Sequence, residues 1–366
     1  MNEKEVFKLG FGLMRLPKKG ISIDIEETSR MVDEFLEAGG TYFDTAHVYP
    51  GSEKAIRKAL VERHPRESYT LATKLYAPLA LSEEAARKQF YTSLERTGAG
   101  YIDYYLLHSL MNNNYRKYEK FHLWDFAKEL KEKGLVKHIG FSFHSGPELL
   151  DKILTDHPEA EFVQLQINYA DWESPSITSF ENYRVARKHR KPVVVMEPVK
   201  GGALADPPKQ VKKLFEEAHP DMSYASWAIR FVASLDGILT VLSGMSDLKQ
   251  MEDNLSYMRD FRPLDEKEQS VIHEAQRIMG NSKTIPCTAC SYCTKGCPQQ
   301  IRIPDIFKAM NLYLGSGQID EAERAYLAID PSNRADQCIV CRQCEDACPQ
   351  HIRITDLLKE CHDTLK

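Results

Sequence analysis

Up to about Gly280, short apolar runs alternate with amphipathic charged stretches. The runs are rich in β-branched and aromatic residues, which fit a half-buried strand surface. They span Thr41–Asp44, Tyr69–Lys74, Ile102–His108, Val136–Ser142, Phe162–Asn168, Pro192–Glu197 and Ile238–Ser243. Between them lie helical patterns. In Ile25–Gly39 and Ser82–Gly98 the apolar residues recur every three or four positions, and each pattern closes on a glycine. Asp265–Gly280 reads as a last helix, followed by a linker over Asn281–Pro286. A shift in pattern there predicts two domains, 1–280 and 281–366.

The strand ends fall at 44, 74, 108, 142, 168, 197 and 243, so they are separated by 30, 34, 34, 26, 29 and 46 residues. Each interval is the length of one strand–helix unit, and repeats of that unit close into an open doubly wound sheet or an eight-stranded barrel. A dinucleotide-binding open sheet carries Gly-x-Gly-x-x-Gly after its first strand. Here Asp44-Thr-Ala-His-Val-Tyr49 stands in that place, so the pattern favours an α/β chain folded as a TIM (β/α)8 barrel. The 46-residue interval has room for an eighth strand. Ahead of the first unit, Phe7–Arg15 contains two glycines and reads as a hairpin plugging the barrel bottom.

Composition narrows the partners. The 366 residues carry 48 Lys+Arg against 53 Asp+Glu, a formal net charge of −5. That balance supplies no electrostatic footprint for nucleic acid or an anionic membrane surface. No apolar run approaches the length of a membrane span, and Met1–Gly10 lacks the features of a secretory signal, so a cytoplasmic location is expected. All nine cysteines lie at or after Cys287. Clustering at one end of such a chain points to metal ligation rather than a disulfide framework.

Barrel enzymes place their chemistry at the carboxyl ends of the strands. Three successive strand ends carry Asp44, Lys74 and His108, and Tyr49 lies five residues past the first. Singly, each fits an ion pair or a ring at the rim. Together they form a motif, Asp-Thr-Ala-x-x-Tyr followed by a strand-ending Lys and a strand-ending His, which resembles that of the aldo-keto reductase family over about the first three-quarters of the chain. The resemblance implies reduction of a carbonyl by NADPH or NADH, with hydride going to carbon and a proton to oxygen. Tyr49 would be the general acid. Its free pKa near ~10 makes it sluggish at neutral pH, and a neighbouring Lys74 would lower it. Asp44 would hold Lys74, and His108 would orient the substrate oxygen.

The same resemblance implies cofactor contacts. Ser142, in Ile139-Gly-Phe-Ser-Phe-His144, and Gln164 would bind the nicotinamide carboxamide. Met196 stands where the family often has a ring-stacking aromatic, and its thioether can pack on the nicotinamide. Ser243–Asn254 resembles the dinucleotide-phosphate loop, with Gly244, Met245, Ser246, Gln250 and Asn254 as contacts. Ser246 is expected to cap the following helix, whose amides would face the phosphates. Gly244 and Gln250 occupy places where relatives carry the basic residues that grip an NADP 2′-phosphate, which leaves NAD and NADP both open.

The strongest local signal is Cys287-x2-Cys290-x2-Cys293-x3-Cys297-Pro, repeated 51 residues later as Cys338-x2-Cys341-x2-Cys344-x3-Cys348-Pro. Two such runs are the ligand pattern of bacterial two-[4Fe–4S] proteins, in which the fourth cysteine of each run serves the other cluster. One cluster would then take Cys287, Cys290, Cys293 and Cys348. The other would take Cys338, Cys341, Cys344 and Cys297. Zinc is the alternative for a single Cys-x2-Cys pair, but duplication and the closing Cys-Pro argue against it. The intervening Ile319–Ala328 reads as helical, so the module resembles a mainly helical ferredoxin-like domain. Cys361 is left as a free thiol.

Hydride transfer moves two electrons and a [4Fe–4S] cluster one, and no flavin fingerprint bridges them. Three functions follow. The first is a reductase of a small aldehyde, ketone or sugar whose clusters serve electron transfer, structure or sensing. The second is an electron-transfer protein whose barrel docks a redox partner. The third is a nicotinamide-sensing regulatory subunit. The complete Asp44/Tyr49/Lys74/His108 set favours the first.

Overall fold

A computed structural model describes residues 7–280 and 284–366. The start of the expected linker, Asn281–Lys283, lies outside the described residues, as do the first six residues. Eight parallel strands close into a barrel: β1 (Leu9–Gly12), β2 (Tyr42–Asp44), β3 (Thr70–Leu75), β4 (Ile102–Leu110), β5 (Val136–Phe143), β6 (Phe162–Gln166), β7 (Val193–Met196) and β8 (Ile238–Ser243). The eighth strand is therefore not in the long interval before β8. It is β1, which pairs in parallel with β2 (Gly12 opposite Asp44) and with β8 (Phe11 opposite Ser243). The segment Phe7–Arg15 thus holds a barrel strand. The N-terminal hairpin lies just after it, where Lys18–Lys19 pairs with Ser22–Ile23. A four-residue strand with two glycines carries too little period-2 pattern to be recognised alone. The interval before β8 is filled instead by a 3-10 segment over Lys200–Ala205 and the helices Lys209–Ala218 and Tyr224–Ala233.

Strand alternation sets the layers. The even-numbered residues Tyr42, Ala72, Leu106, Phe162, Val194 and Leu242 meet in one apolar cluster. A Cβ on Gly140 would lie 2.5 Å from the Phe162 carbonyl oxygen and 2.7 Å from the Phe162 ring, so glycine is required there. One step further along the strands, the same face carries Asp44, Lys74, His108, Ser142, Gln164 and Met196. Parity thus lifts the polar set onto the carboxyl rim, above an apolar plug. The helices bury the other side. In Ile25–Glu37, Asp24 accepts the Glu27 amide at 3.0 Å as N-cap, and Met31, Val32 and Phe35 are fully buried. Each such side chain contributes roughly 1.5–3 kcal/mol.

By compactness the chain divides into two units. One comprises residues to Ser174, Thr178–Pro198 and Ala225–Gln269, and the other Pro175–Ile177, Val199–Tyr224 and Ser270–Lys366. The second unit is mainly helical and repeats at the spacing of its cysteine runs. Tyr292–Lys295 is matched by Gln343–Asp346, and Ile303–Ser316 by Ile354–Leu365, with Ile319–Leu327 between. Its core mixes Ile306, Phe307, Met310 and Leu358 with the sulfurs of Cys293, Cys344, Cys348 and Cys361. Asn311 clamps the entering segment, as its side chain donates to the Ile285 carbonyl at 2.8 Å and accepts the Ile285 amide at 2.7 Å.

Candidate active site and cluster-binding module

The four residues expected from the reductase motif meet at one end of the barrel. Lys74, fully buried, donates to Asp44 Oδ1 and to the Thr45 carbonyl at 2.7 Å. Its Nζ sits 5.3 Å from the centre of the Tyr49 ring. The Tyr49 and His108 rings stand edge to face at 5.9 Å, and Tyr76 flanks His108 at 5.7 Å. Burial pushes the Asp44 carboxyl up and the Lys74 ammonium down, and their mutual attraction opposes both shifts. Such a pair is stable only because its partners are in place. Removing one leaves an uncompensated buried charge.

The base of this group is braced by residues that no motif announces. Tyr118 donates its phenol to the His108 carbonyl. Glu53, 2% exposed, accepts from Thr73 Oγ1 at 2.8 Å, directly beside Lys74, and pairs with Arg96 at 3.2 Å. Its negative charge favours the Lys74 ammonium. Past β6, Asn168 donates to Asp171 at 2.9 Å and accepts the Asp171 amide at 2.8 Å, tying that loop shut. Trp172 packs among Phe180, Tyr183 and Phe231 and so serves as an anchor of its loop.

Of the expected cofactor contacts, Ser142, Gln164 and Met196 adjoin one another across β5, β6 and β7. Ser142 is paired in register with Gln164, its Oγ accepts the Ser109 amide at 2.6 Å, and Gln164 Nε2 donates to Met196 Sδ at 3.4 Å. Gln164 Oε1 is buried and has no hydrogen-bond partner among the described residues. A buried orphan acceptor costs roughly 1–3 kcal/mol, and an amide N–H₂ such as that of a nicotinamide carboxamide would satisfy it.

The phosphate loop differs from expectation. Asp247, not Ser246, caps the helix Leu248–Met258 and accepts the Gln250 amide at 2.9 Å. Gln250 folds back to accept the Ser246 amide at 2.9 Å, and Glu27 accepts the Leu248 amide at 3.2 Å. The amides expected to face phosphate thus meet the chain's own acceptors, two of them carboxylates. Asn254 donates to Ser243 at 2.7 Å and ties the helix to β8, and Met245 is buried. Gly244 is exposed, and the side chain of Arg15 lies 3.9 Å from where its Cβ would be. Arg15 brings a cation to this corner. It was legible only once β1 was known to end at Gly12, which puts Arg15 in the first loop of the rim.

In the second unit the eight cysteines line two cavities, with Cys287, Cys290, Cys293 and Cys348 in one and Cys297, Cys338, Cys341 and Cys344 in the other. Among the described residues no three His, Cys, Asp or Glu side chains converge to hold a single ion. Four sulfurs spread around a cavity fit a multi-iron cluster better than mononuclear zinc. The backbone agrees. Ala289, Ser291 and Gln300 have φ of 53°, 62° and 51°, and Val340, Arg342 and His351, each 51 residues on, have 57°, 61° and 52°. Left-handed residues within a turn aim successive amides inward, a geometry that recurs at Fe–S sites. Non-glycine residues adopt it at a cost, and here the cost is duplicated in register. Burial raises the thiol pKa of Cys293 and Cys348, and that of Cys344 to about 11. Thiolates in these positions call for a metal cation. Cys361, its thiol raised to about 12, is packed in the core instead.

A closed parallel barrel with ionisable groups at the carboxyl ends of its strands is the layout of a barrel enzyme. Residues 8–277 match the model of the aldo/keto reductase family, and the chain belongs to that family. Residues 286–352 match a 4Fe-4S dicluster domain. Aldo-keto reductase AKR11C1 from Bacillus halodurans, solved in its holo form, is 26% identical with a TM-score of 0.59, covering 73% of this chain and 91% of that one. An aldo/keto reductase from Klebsiella pneumoniae, solved with NADP and acetate, shares the fold at 18% identity with a TM-score of 0.60 over 74% and 91%. An aldo-keto reductase of Mycobacterium avium is 26% identical over 288 residues, 78% of this chain and 92% of the relative. One from Mycolicibacterium smegmatis is 33% identical over 147 residues, 38% of this chain, and the chain spans only 49% of that relative. Among the described residues no helix is long and apolar enough to cross a membrane.

Proposed function

We propose that residues 1–280 form a reductase, in reverse a dehydrogenase, of a small aldehyde, ketone or sugar, and that residues 281–366 hold two [4Fe–4S] clusters. The observation that carries the reading is the buried Asp44–Lys74 pair set beneath the Tyr49 ring with His108 beside it. Family membership and the NADP complex of the Klebsiella protein support a nicotinamide cofactor here. That cofactor, NADPH or NADH, supplies the hydride when bound. Tyr49 gives its phenolic proton to the carbonyl oxygen. Lys74, 5.3 Å from the ring centre, favours the phenolate that remains. Asp44 keeps Lys74 in place, and His108 orients the oxygen. Ser142 and the orphan acceptor of Gln164 hold the carboxamide, Met196 offers an apolar surface to the ring, and Arg15 with Gly244, Ser246, Gln250 and Asn254 borders the phosphates.

The test follows nicotinamide absorbance anaerobically with a panel of aldehydes, ketones and sugars, comparing wild type with Tyr49→Phe. General acid catalysis contributes about 10²–10⁴-fold, so kcat should fall by at least that lower bound while nicotinamide binding and iron content hold. Equal rates for the two proteins would sink the assignment of Tyr49. Bleaching of the iron–sulfur band by NAD(P)H alone, with no carbonyl turnover, would favour the electron-transfer reading.

A further inference from the structure

The two halves of the cysteine module share one plan but are unequally covered. At matched positions, Thr288 is 2% exposed whereas Ile339 is 59% exposed. Cys290 is half-buried and its counterpart Cys341 is exposed. The crossed-over ligand follows suit. Cys348, which lines the first cavity, is buried, and Cys297, which lines the second, is partly exposed. The cover on the first loop is backbone. Gly201, at φ 65°, approaches so closely that a Cβ there would lie 2.5 Å from the Thr288 carbonyl oxygen. Within this unit Gly201 therefore packs on the first cysteine loop with no room for a side chain of its own.

The second loop is left open, and in an unusual way. Ile339 and Val340, each 59% exposed, stand next to exposed Cys341 and Arg342. Among the described residues only Leu327 is another large, exposed apolar side chain in this unit. Leaving two such side chains in water forgoes stabilisation that burial would give. At a redox centre, however, they allow a dry, close approach, and electron transfer weakens steeply with separation.

We propose that the site formed by Cys297, Cys338, Cys341 and Cys344 is the port for one-electron exchange with an external carrier, and that the Cys287, Cys290, Cys293, Cys348 site is shielded from it. The inference rests on the iron–sulfur reading above. In the exchange an external one-electron donor is oxidised by one electron and the outer cluster is reduced by one, and no bond or proton is exchanged.

The experiment uses the full chain, purified anaerobically, with iron and sulfide measured first. The reduced protein is then examined by electron paramagnetic resonance with and without a soluble dysprosium chelate. One of two signals should relax several-fold faster with the chelate. Cys341→Ser should alter the shape of that signal, and Cys290→Ser should alter the other. A second measurement needs no ligand change: Val340→Glu, at an exposed position, should speed reduction by a cationic viologen radical several-fold and slow reduction by dithionite, because an anionic charge at the port steers the two reagents oppositely. Equal relaxation of both signals, a relaxed signal that follows Cys290→Ser, or unchanged rates for Val340→Glu would overturn the port. Iron and sulfide for fewer than two clusters would instead overturn the reading on which it rests.

Discussion

The barrel rim and the cysteine module solve the problem of a polar site in opposite ways. At the rim, buried charges neutralise one another. Asp44 pairs with Lys74, Glu53 with Arg96 and Thr73, and the peptide carbonyls of Thr45 and His108 are used by Lys74 and Tyr118. In the module, burial raises the thiol pKa values of Cys293, Cys344 and Cys348, and the negative charge of Glu345 pushes Cys344 and Cys348 further the same way. The rim is therefore preorganised by the chain alone. On the proposed reading the module is completed only by its clusters, so metal binding and folding should be coupled there.

The largest expected effect breaks that contrast directly. Stripping iron with a chelator under anaerobic conditions should abolish the cooperative melting of the module while the barrel transition remains, since metal-binding free energy is folding free energy. Calorimetry before and after chelation reads both transitions, and an unchanged module transition would contradict the coupling. Next comes Lys74→Met. Leaving Asp44 buried without its partner should cost about 3–5 kcal/mol, read as a lower denaturation midpoint, and Asp44→Asn added to it should restore much of the loss. A double variant no more stable than Lys74→Met would mean that the pair is not the source of the cost.

A smaller test concerns acid stability of the barrel. Burial disfavours ionised Glu268, but the Arg230 guanidinium, at 2.6 and 2.9 Å, outweighs burial and holds the carboxyl below its usual 4.5. A lowered folded-state pKa gives stability that is present above the unfolded pKa and lost as pH falls through the folded one. Wild type should therefore lose roughly 1–3 kcal/mol of this charge-assisted bond below about pH 4.5. Urea titrations across that range should show a shallower pH slope for Glu268→Gln, and parallel slopes would discount the pair. The smallest effect sharpens the cofactor question. Gln250→Arg replaces a neutral side chain beside the carboxylate cap Asp247 and should shift preference toward NADPH over NADH by about tenfold, the equivalent of ~1.4 kcal/mol. Unchanged KM ratios would place the 2′-position away from this corner.

Much of both regions was readable in the chain. Seven strands, the helix ends at Glu37 and Thr97, and the helix Ile319–Leu327 follow from local patterning, because period and capping are properties of neighbouring residues. The cysteine runs are legible for the same reason, as the four cysteines of each run fall within eleven residues of one another. Only the closed barrel decided the rest. It made Leu9–Gly12 a strand, because β2 and β8 supply its hydrogen bonds. It gave the cap to Asp247 instead of Ser246, brought Arg15 to Gly244, and set Glu53 beside Lys74. Residue types and spacing thus determined the family and the candidate groups for its chemistry. Tertiary structure decided which groups brace it and which half of the module stands open, since burial and partner choice depend on residues far apart in the chain.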